Sequence, residues 1–258
     1  SKGSMHVPLL PQLELKSFYD QLDMNGNVVG QIDGNAPLKG AYLPVMRCPS
    51  DDFPKKNDNG EAVTNYAPSV GAQQTIGQCG NPLYAGNRLK TTESPEGTGP
   101  CGDGYLFDGY NPDCQKVPVN KRISGPFARY EWAASFDEIP DGGSNTILMG
   151  EVLPGCSTHL ITRWYLGWQY FVGTAPPINF QTCPEEPPGH DGSQGDPCHA
   201  WNNWNTDVGF KSRHPGGAGF VFGDASVRFL RQTIEYDNYQ RLGCRRDGSE
   251  GGGVVIVP

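Results

Sequence analysis

Residues 210–230, FKSRHPGGAGFVFGDASVRFL, decide the fold. Ala218, Phe220 and Phe222 alternate with small residues, Gly223-Asp224-Ala225 is a turn signal, and Val227 and Phe229 resume the alternation; the pattern predicts a β-hairpin with one apolar face. Two registers stay open. A turn on Asp224-Ala225 pairs Phe222 with Val227 and Phe220 with Phe229, whereas a turn on Gly223-Asp224 pairs Phe222 with Ala225 and Phe220 with Val227. Both keep the apolar side chains inward, and the second is mildly favoured because alanine at positive φ costs about 1 kcal/mol relative to glycine. An extended strand between His214 and Asp224 holds them on the order of 15 Å or more apart, which excludes an intrachain dyad. Asp224 is then a turn residue bonding its own backbone, and His214 anchors the loop where it enters the sheet.

Upstream of the hairpin, Thr146 to Val152 and Thr64 to Val70 read as strands, and the aromatic run RWYLGWQYFV at 163–172 as a central strand. Leu10, Leu13, Phe18 and Leu22 are spaced for a short amphipathic helix from Leu9 to Leu22, entered through Pro11. Residues 23–40 are turn-rich. Downstream, Glu235 to Leu242 predicts a helix stopped by Gly243, and the apolar tail at 251–257 an edge strand. The fold class is α+β: one domain over 1–258 with a central antiparallel sheet, short helices, and long Gly/Pro-rich loop insertions at about 71–121 and 174–207.

Four stretches resemble a known family. His214 and, after nine intervening residues, Asp224 are similar to the His-x9-Asp-Gly that ends a family of prepilin-type proteins abundant in planctomycete bacteria, many of them domains of unknown function; Ala225 stands where that family has glycine. The block from Asp137 through Asp141, Ser144 and Asn145 to Glu151 resembles its Asp-Gly-x-Ser-Asn-Thr-Ile-Leu-x-Gly-Glu. Cys48-Pro-Ser-Asp51 and Leu9-Leu-Pro-Gln-Leu-Glu14 resemble two more of its blocks, in family order. The resemblance implies a pilin-like globular head, in which an apolar N-terminal helix anchors the subunit in the membrane and packs into a filament or pseudopilus. That anchor helix is absent from this chain, so any membrane contact is expected only through a helix upstream of Ser1. The implied role is structural, not enzymatic, with other pilin-like subunits, self or hetero, as partners.

The chain has 258 residues, 35 glycines, 23 prolines and a net charge of −8. No Lys/Arg cluster suits a phosphate backbone, so nucleic acid is not an expected partner. The eight cysteines, none in Cys-x-x-Cys spacing, point to disulfides and to an extracellular or cell-envelope location. Connectivity is open. Cys101–Cys114 and Cys183–Cys198 would close short loops, leaving Cys48–Cys79 and Cys156–Cys244, with all eight paired. Zinc on Cys183, His190, Cys198 and His199 is disfavoured by compartment and spacing.

No cofactor is required by any motif. Asp103, Asp108 and Asp113 form the candidate calcium cluster in the first insertion. Asp141, Ser144 and Asn145 read as a tight turn into a strand, since Gly-Gly-Ser-Asn is no nucleophile elbow. Trp201, Trp204 and Asn203 supply the alternative function, a surface carbohydrate-binding module, because aromatic planes beside amides suit a glycan.

Overall fold

The computed structural model describes residues 2–72, 124–128, 132–186 and 197–246. The expected N-terminal helix is broken in two. α1 (His6–Leu9) runs into a 3-10 turn at Leu10–Leu13, Glu14 takes a left-handed φ of 62°, and α2 (Lys16–Tyr19) restarts the helix. Leu10, Phe18 and Leu22 are still buried, so the apolar spacing was met by turns. The expected turn region instead holds α3 (Val28–Asp33) and α4 (Ala36–Lys39), capped by the side chains of Asn27 and Asn35, which accept the N–H groups of Gly30 and Leu38. β1 (Tyr66–Pro68) and β2 (Ile147–Glu151) follow, then the one-turn α5 (Trp204–Asp207), the hairpin β3 (Gly217–Phe222) and β4 (Val227–Arg231), and α6 (Tyr236–Gly243). Gly243 is the last helical residue rather than the stop. A Cβ there would lie 2.0 Å from Thr174 Oγ1, so glycine serves close packing.

The sheet is antiparallel in the order β1-β2-β3-β4, which bears out the α+β class with a central antiparallel sheet. Its inner face carries Ile147, Ala218, Phe220, Phe222 and Leu230, all buried in one core cluster with Phe210 and Tyr239, whose rings meet Phe220 edge-on. Gly150 sits where a Cβ would come within 2.6 Å of the Phe220 ring and 2.7 Å of the Phe210 ring, which explains why β2 has no side chain there.

Neither expected hairpin register occurs. The Ala225 N–H donates to Phe222 O and the Phe222 N–H to Ser226 O, giving a three-residue loop of Gly223, Asp224 and Ala225. The odd residue shifts β4 by one position, so Val221 faces Val227 and Gly219 faces Phe229. Val227 and Phe229 therefore point outward, 74% and 52% exposed. Ala225 takes the left-handed position of the loop at φ 63°. Ala225→Gly should accordingly raise stability by about 1 kcal/mol, read from urea unfolding; an unchanged or lower midpoint would show that the loop carries no such strain.

The aromatic run is not the central strand. Leu166 N–H bonds back to Arg163 O and Tyr170 N–H to Leu166 O, so the segment turns on itself while burying Trp164, Tyr165, Leu166, Tyr170, Phe171 and Val172. A continuous apolar run has the same appearance in a buried loop as in a buried strand. Cys101–Cys114, Asp103, Asp108, Asp113, His190 and the 251–257 strand lie outside the described residues.

Candidate functional site

Three of the four motif blocks meet on the outer side of the sheet. Cys48 opens a tight turn closed by the Asp51 N–H on Cys48 O, and the buried Asn65 side chain braces it. Asn65 Oδ1 accepts the Cys48 N–H at 3.1 Å while its Nδ2 donates to Asp51 Oδ2 at 2.7 Å and to Val152 O at 3.0 Å. Arg47 lies 3.4 Å from the Asp51 carboxylate and donates to Phe53 O, so the turn carries its own counter-charge.

Glu151 ends β2, opposite Tyr66 of β1. Its Oε2 accepts the Gly219 N–H at 2.7 Å, which fixes the carboxylate over the sheet. His214 precedes β3 and places Nε2 3.5 Å from Cys48 Sγ and 3.4 Å from Glu151 Oε1. One donor atom from each of the three residues thus lies within 4.8 Å of the others. Burial, with Cys48 and Glu151 adding negative potential, pushes the neighbouring Tyr66 hydroxyl above its usual range. His214 thus faces both Cys48 and Glu151, and Asp224 makes its own contacts apart from them. Asp224 accepts from the Ser226 N–H and hydroxyl and pairs with Arg228, and the Ser226 bonds hold its carboxyl below the usual range.

A second polar cluster was not anticipated. Asp207 Oδ2 accepts from Ser157 Oγ at 2.9 Å and from His159 Nδ1 at 2.6 Å, and the buried Lys211 ammonium reaches Asp207 O at 3.4 Å. Burial raises the Asp207 carboxyl and lowers Lys211 to about 8. These residues are not a nucleophile triad, because the serine hydroxyl is directed at the carboxylate rather than at the imidazole that would take its proton. The four come from two stretches, 157–159 and 207–211, whose only common signal was polar residues in otherwise apolar surroundings.

The remaining expectations fall as follows. Asp141, Ser144 and Asn145 form a tight turn: Gly143–Asn145 is a 3-10 turn and Asn145 Nδ2 donates to Asp141 O at 2.9 Å. Cys156 is joined to Cys183 across 27 residues, which replaces both Cys183–Cys198 and Cys156–Cys244, and Cys48 is a free, buried thiol, which removes Cys48–Cys79 and the pairing of all eight. The preference for short loops failed because residues 153–157 and 182–186 pack side by side, Thr182 Oγ1 donating to Cys156 O. Trp201, Trp204 and Asn203 are neighbours, but Asn203 is buried with its amide on Pro197 O, and Trp204 packs edge-on to His159 and Phe171. A cavity of about 540 Å³, lined by Leu9, Met24, Pro68, Leu148, Phe171 and Trp132 among others, includes none of Cys48, Glu151 and His214.

Residues 1–237 match the family described as "Protein of unknown function (DUF1559)". The chain belongs to that family. Comparison with curated proteins and with solved structures finds no match. The DUF1559 match takes in all three residues of the outer cluster and the whole sheet. The disulfide of this DUF1559 domain is consistent with an oxidising, exported location, and none of its described helices is long and apolar enough to cross a membrane.

Proposed function

We propose that this DUF1559 chain is the globular head of a pilin-like structural subunit, exported and assembled with copies of itself or other pilin-like subunits into a filament or pseudopilus. The observation that carries the reading is the edge of the sheet. Among the described residues β4 pairs on one side only, with β3, and it turns Val227 and Phe229 to solvent. An unpaired strand edge bearing exposed apolar side chains is a template for pairing with another chain, which an isolated soluble domain ordinarily blunts. Arg228 lies between the two apolar residues with its guanidinium over the Phe222 ring and paired with Asp224, and Arg231 ends the strand, so charge tempers the edge without covering it. Trp201, Trp204 and Asn203 offer a carbohydrate no comparable surface, since the amide faces inward.

Val227→Asp with Phe229→Asp, placed in the full-length gene, should abolish recovery of the subunit in filaments sheared from the cell surface while the folded protein remains in the envelope. Both side chains are exposed, so the fold should tolerate the change. Wild-type recovery of the double variant in the sheared fraction, or no such assembly in the wild type, would overturn the reading.

A further inference from the structure

We propose that Cys48, Glu151 and His214 form a binding site for a divalent cation of the zinc class, with three protein ligands and a fourth position left to solvent. The inference does not rest on the assembly reading, since β4 supplies none of the ligands. Geometry comes first. A tetrahedral zinc at about 2.3 Å from sulfur and about 2.0–2.1 Å from nitrogen and oxygen sets its sulfur and nitrogen ligands roughly 3.6 Å apart, and nitrogen and oxygen roughly 3.4 Å apart. Cys48 Sγ to His214 Nε2 is 3.5 Å and His214 Nε2 to Glu151 Oε1 is 3.4 Å. These two edges are those of a coordination tetrahedron, and the third, sulfur to carboxylate oxygen, lies within 4.8 Å.

The same distances argue against a thiol nucleophile. A Cys–His–carboxylate relay uses one imidazole nitrogen for the thiol and the other for the carboxylate. Here a single atom, Nε2, faces both partners. Three donor atoms converging on one point is what a cation requires and a proton relay does not.

The surroundings hold the ligands as outer-shell groups do. Gly219 N–H occupies Glu151 Oε2 and leaves Oε1 for the ion, and Asn65 fixes the backbone of Cys48. Cys156, Cys183 and Cys198 are all in disulfides, whereas the Cys48 thiol is kept free beside an imidazole and a carboxylate. Thiolate with imidazole selects the zinc class over calcium or magnesium, which take oxygen ligands. Binding displaces the thiol proton to solvent and uses neutral imidazole and ionised carboxylate. The His214 side chain is 41% exposed, which gives the ion a way in.

The test is titration of the chelator-stripped protein with zinc chloride and, separately, with cobalt(II) chloride as the spectroscopic stand-in. Equimolar zinc should raise the melting temperature, and cobalt should develop a thiolate-to-metal charge-transfer band together with the ligand-field absorption of a tetrahedral ion. Cys48→Ser should abolish the charge-transfer band, and both Cys48→Ser and His214→Ala should weaken zinc binding by more than roughly 100-fold, beyond the loss usual for outer-shell changes. His214→Ala alters a half-exposed side chain and should melt like the metal-free wild type, so lost binding in that variant is not lost folding. No charge-transfer band in the wild type, or zinc binding unchanged in His214→Ala, would overturn the site.

Discussion

Asp207→Ala should cost the fold about 3–5 kcal/mol, because it removes the negative charge that most favours the buried Lys211 ammonium and leaves that ammonium in a medium that cannot solvate it. Lys211 is buried, with Asp207 and, more weakly, Glu186 as its negative neighbours. The same carboxylate also accepts from Ser157 and His159, so these two donors lose their acceptor, while Lys211 keeps its bond to the main-chain Asp207 O. Urea unfolding at pH 7 measures the loss, and a change below about 1 kcal/mol would show that the lysine is solvated in some other way. Adding Lys211→Met to Asp207→Ala should recover most of the stability, since a buried pair replaced by apolar groups is nearly neutral. A double variant no better than the single one would assign the loss to packing.

The pH dependence has a defined sign. Burial holds Lys211 near 8 in the fold against an ordinary 10.5. Between those values the unfolded chain binds the extra proton, so this group's contribution to stability rises as pH increases from about 8 to 10.5. Without Asp207 the folded lysine gives up its proton still more readily, and the penalty in Asp207→Ala should shrink in alkaline buffer. Asp207 works in the acid range with the other sign. Its folded carboxyl lies above the ordinary value, so its contribution falls as pH rises through that interval.

Local periodicity was enough for some elements and not for others. β2, the hairpin arms and α6 each show their pattern within ten residues, and each occurs within a residue or two of its expected limits. The hairpin register was lost to one hydrogen-bonded loop residue, Ala225, whose left-handed backbone a non-glycine residue does not advertise. Cys48 and His214 are 166 residues apart, and what ties the Cys48 turn to the end of β2 is the buried Asn65, an ordinary polar residue in the sequence. The motif blocks identified Cys48, Glu151 and His214 one at a time. Only the sheet pairing, which sets Glu151 beside Gly219, brings them to one point. The Cys156–Cys183 bridge was hidden for the same reason, since loop length says little about which loops pack together.

Acid should remove about 3 kcal/mol through His6 alone as pH falls from 6.5 to about 4. This histidine is fully buried, ringed by Trp164 and Tyr170, and burial lowers it from 6.5 to about 4. Its hydrogen bonds require the neutral ring: Nε2–H donates to Tyr66 O at 2.8 Å, which leaves Nδ1 to accept from the Ser4 hydroxyl at 3.1 Å. A second ring proton would leave Nδ1 a donor facing that hydroxyl in an apolar shell. The unfolded chain takes up the proton below 6.5 and the fold does not, so stability is complete above 6.5 and is lost on the way down, by roughly 1.4 kcal/mol for each pH unit of the 2.5-unit gap. The bond to Tyr66 O ties α1 to β1, and β1 pairs with the strand that carries Glu151. His6→Gln keeps a donor for Tyr66 O and an acceptor for Ser4 but cannot titrate. Its stability should therefore change less between pH 7 and 4.5 than the wild type's, by about 3 kcal/mol in urea unfolding. Parallel pH profiles for the two proteins would mean that the acid sensitivity resides in other groups.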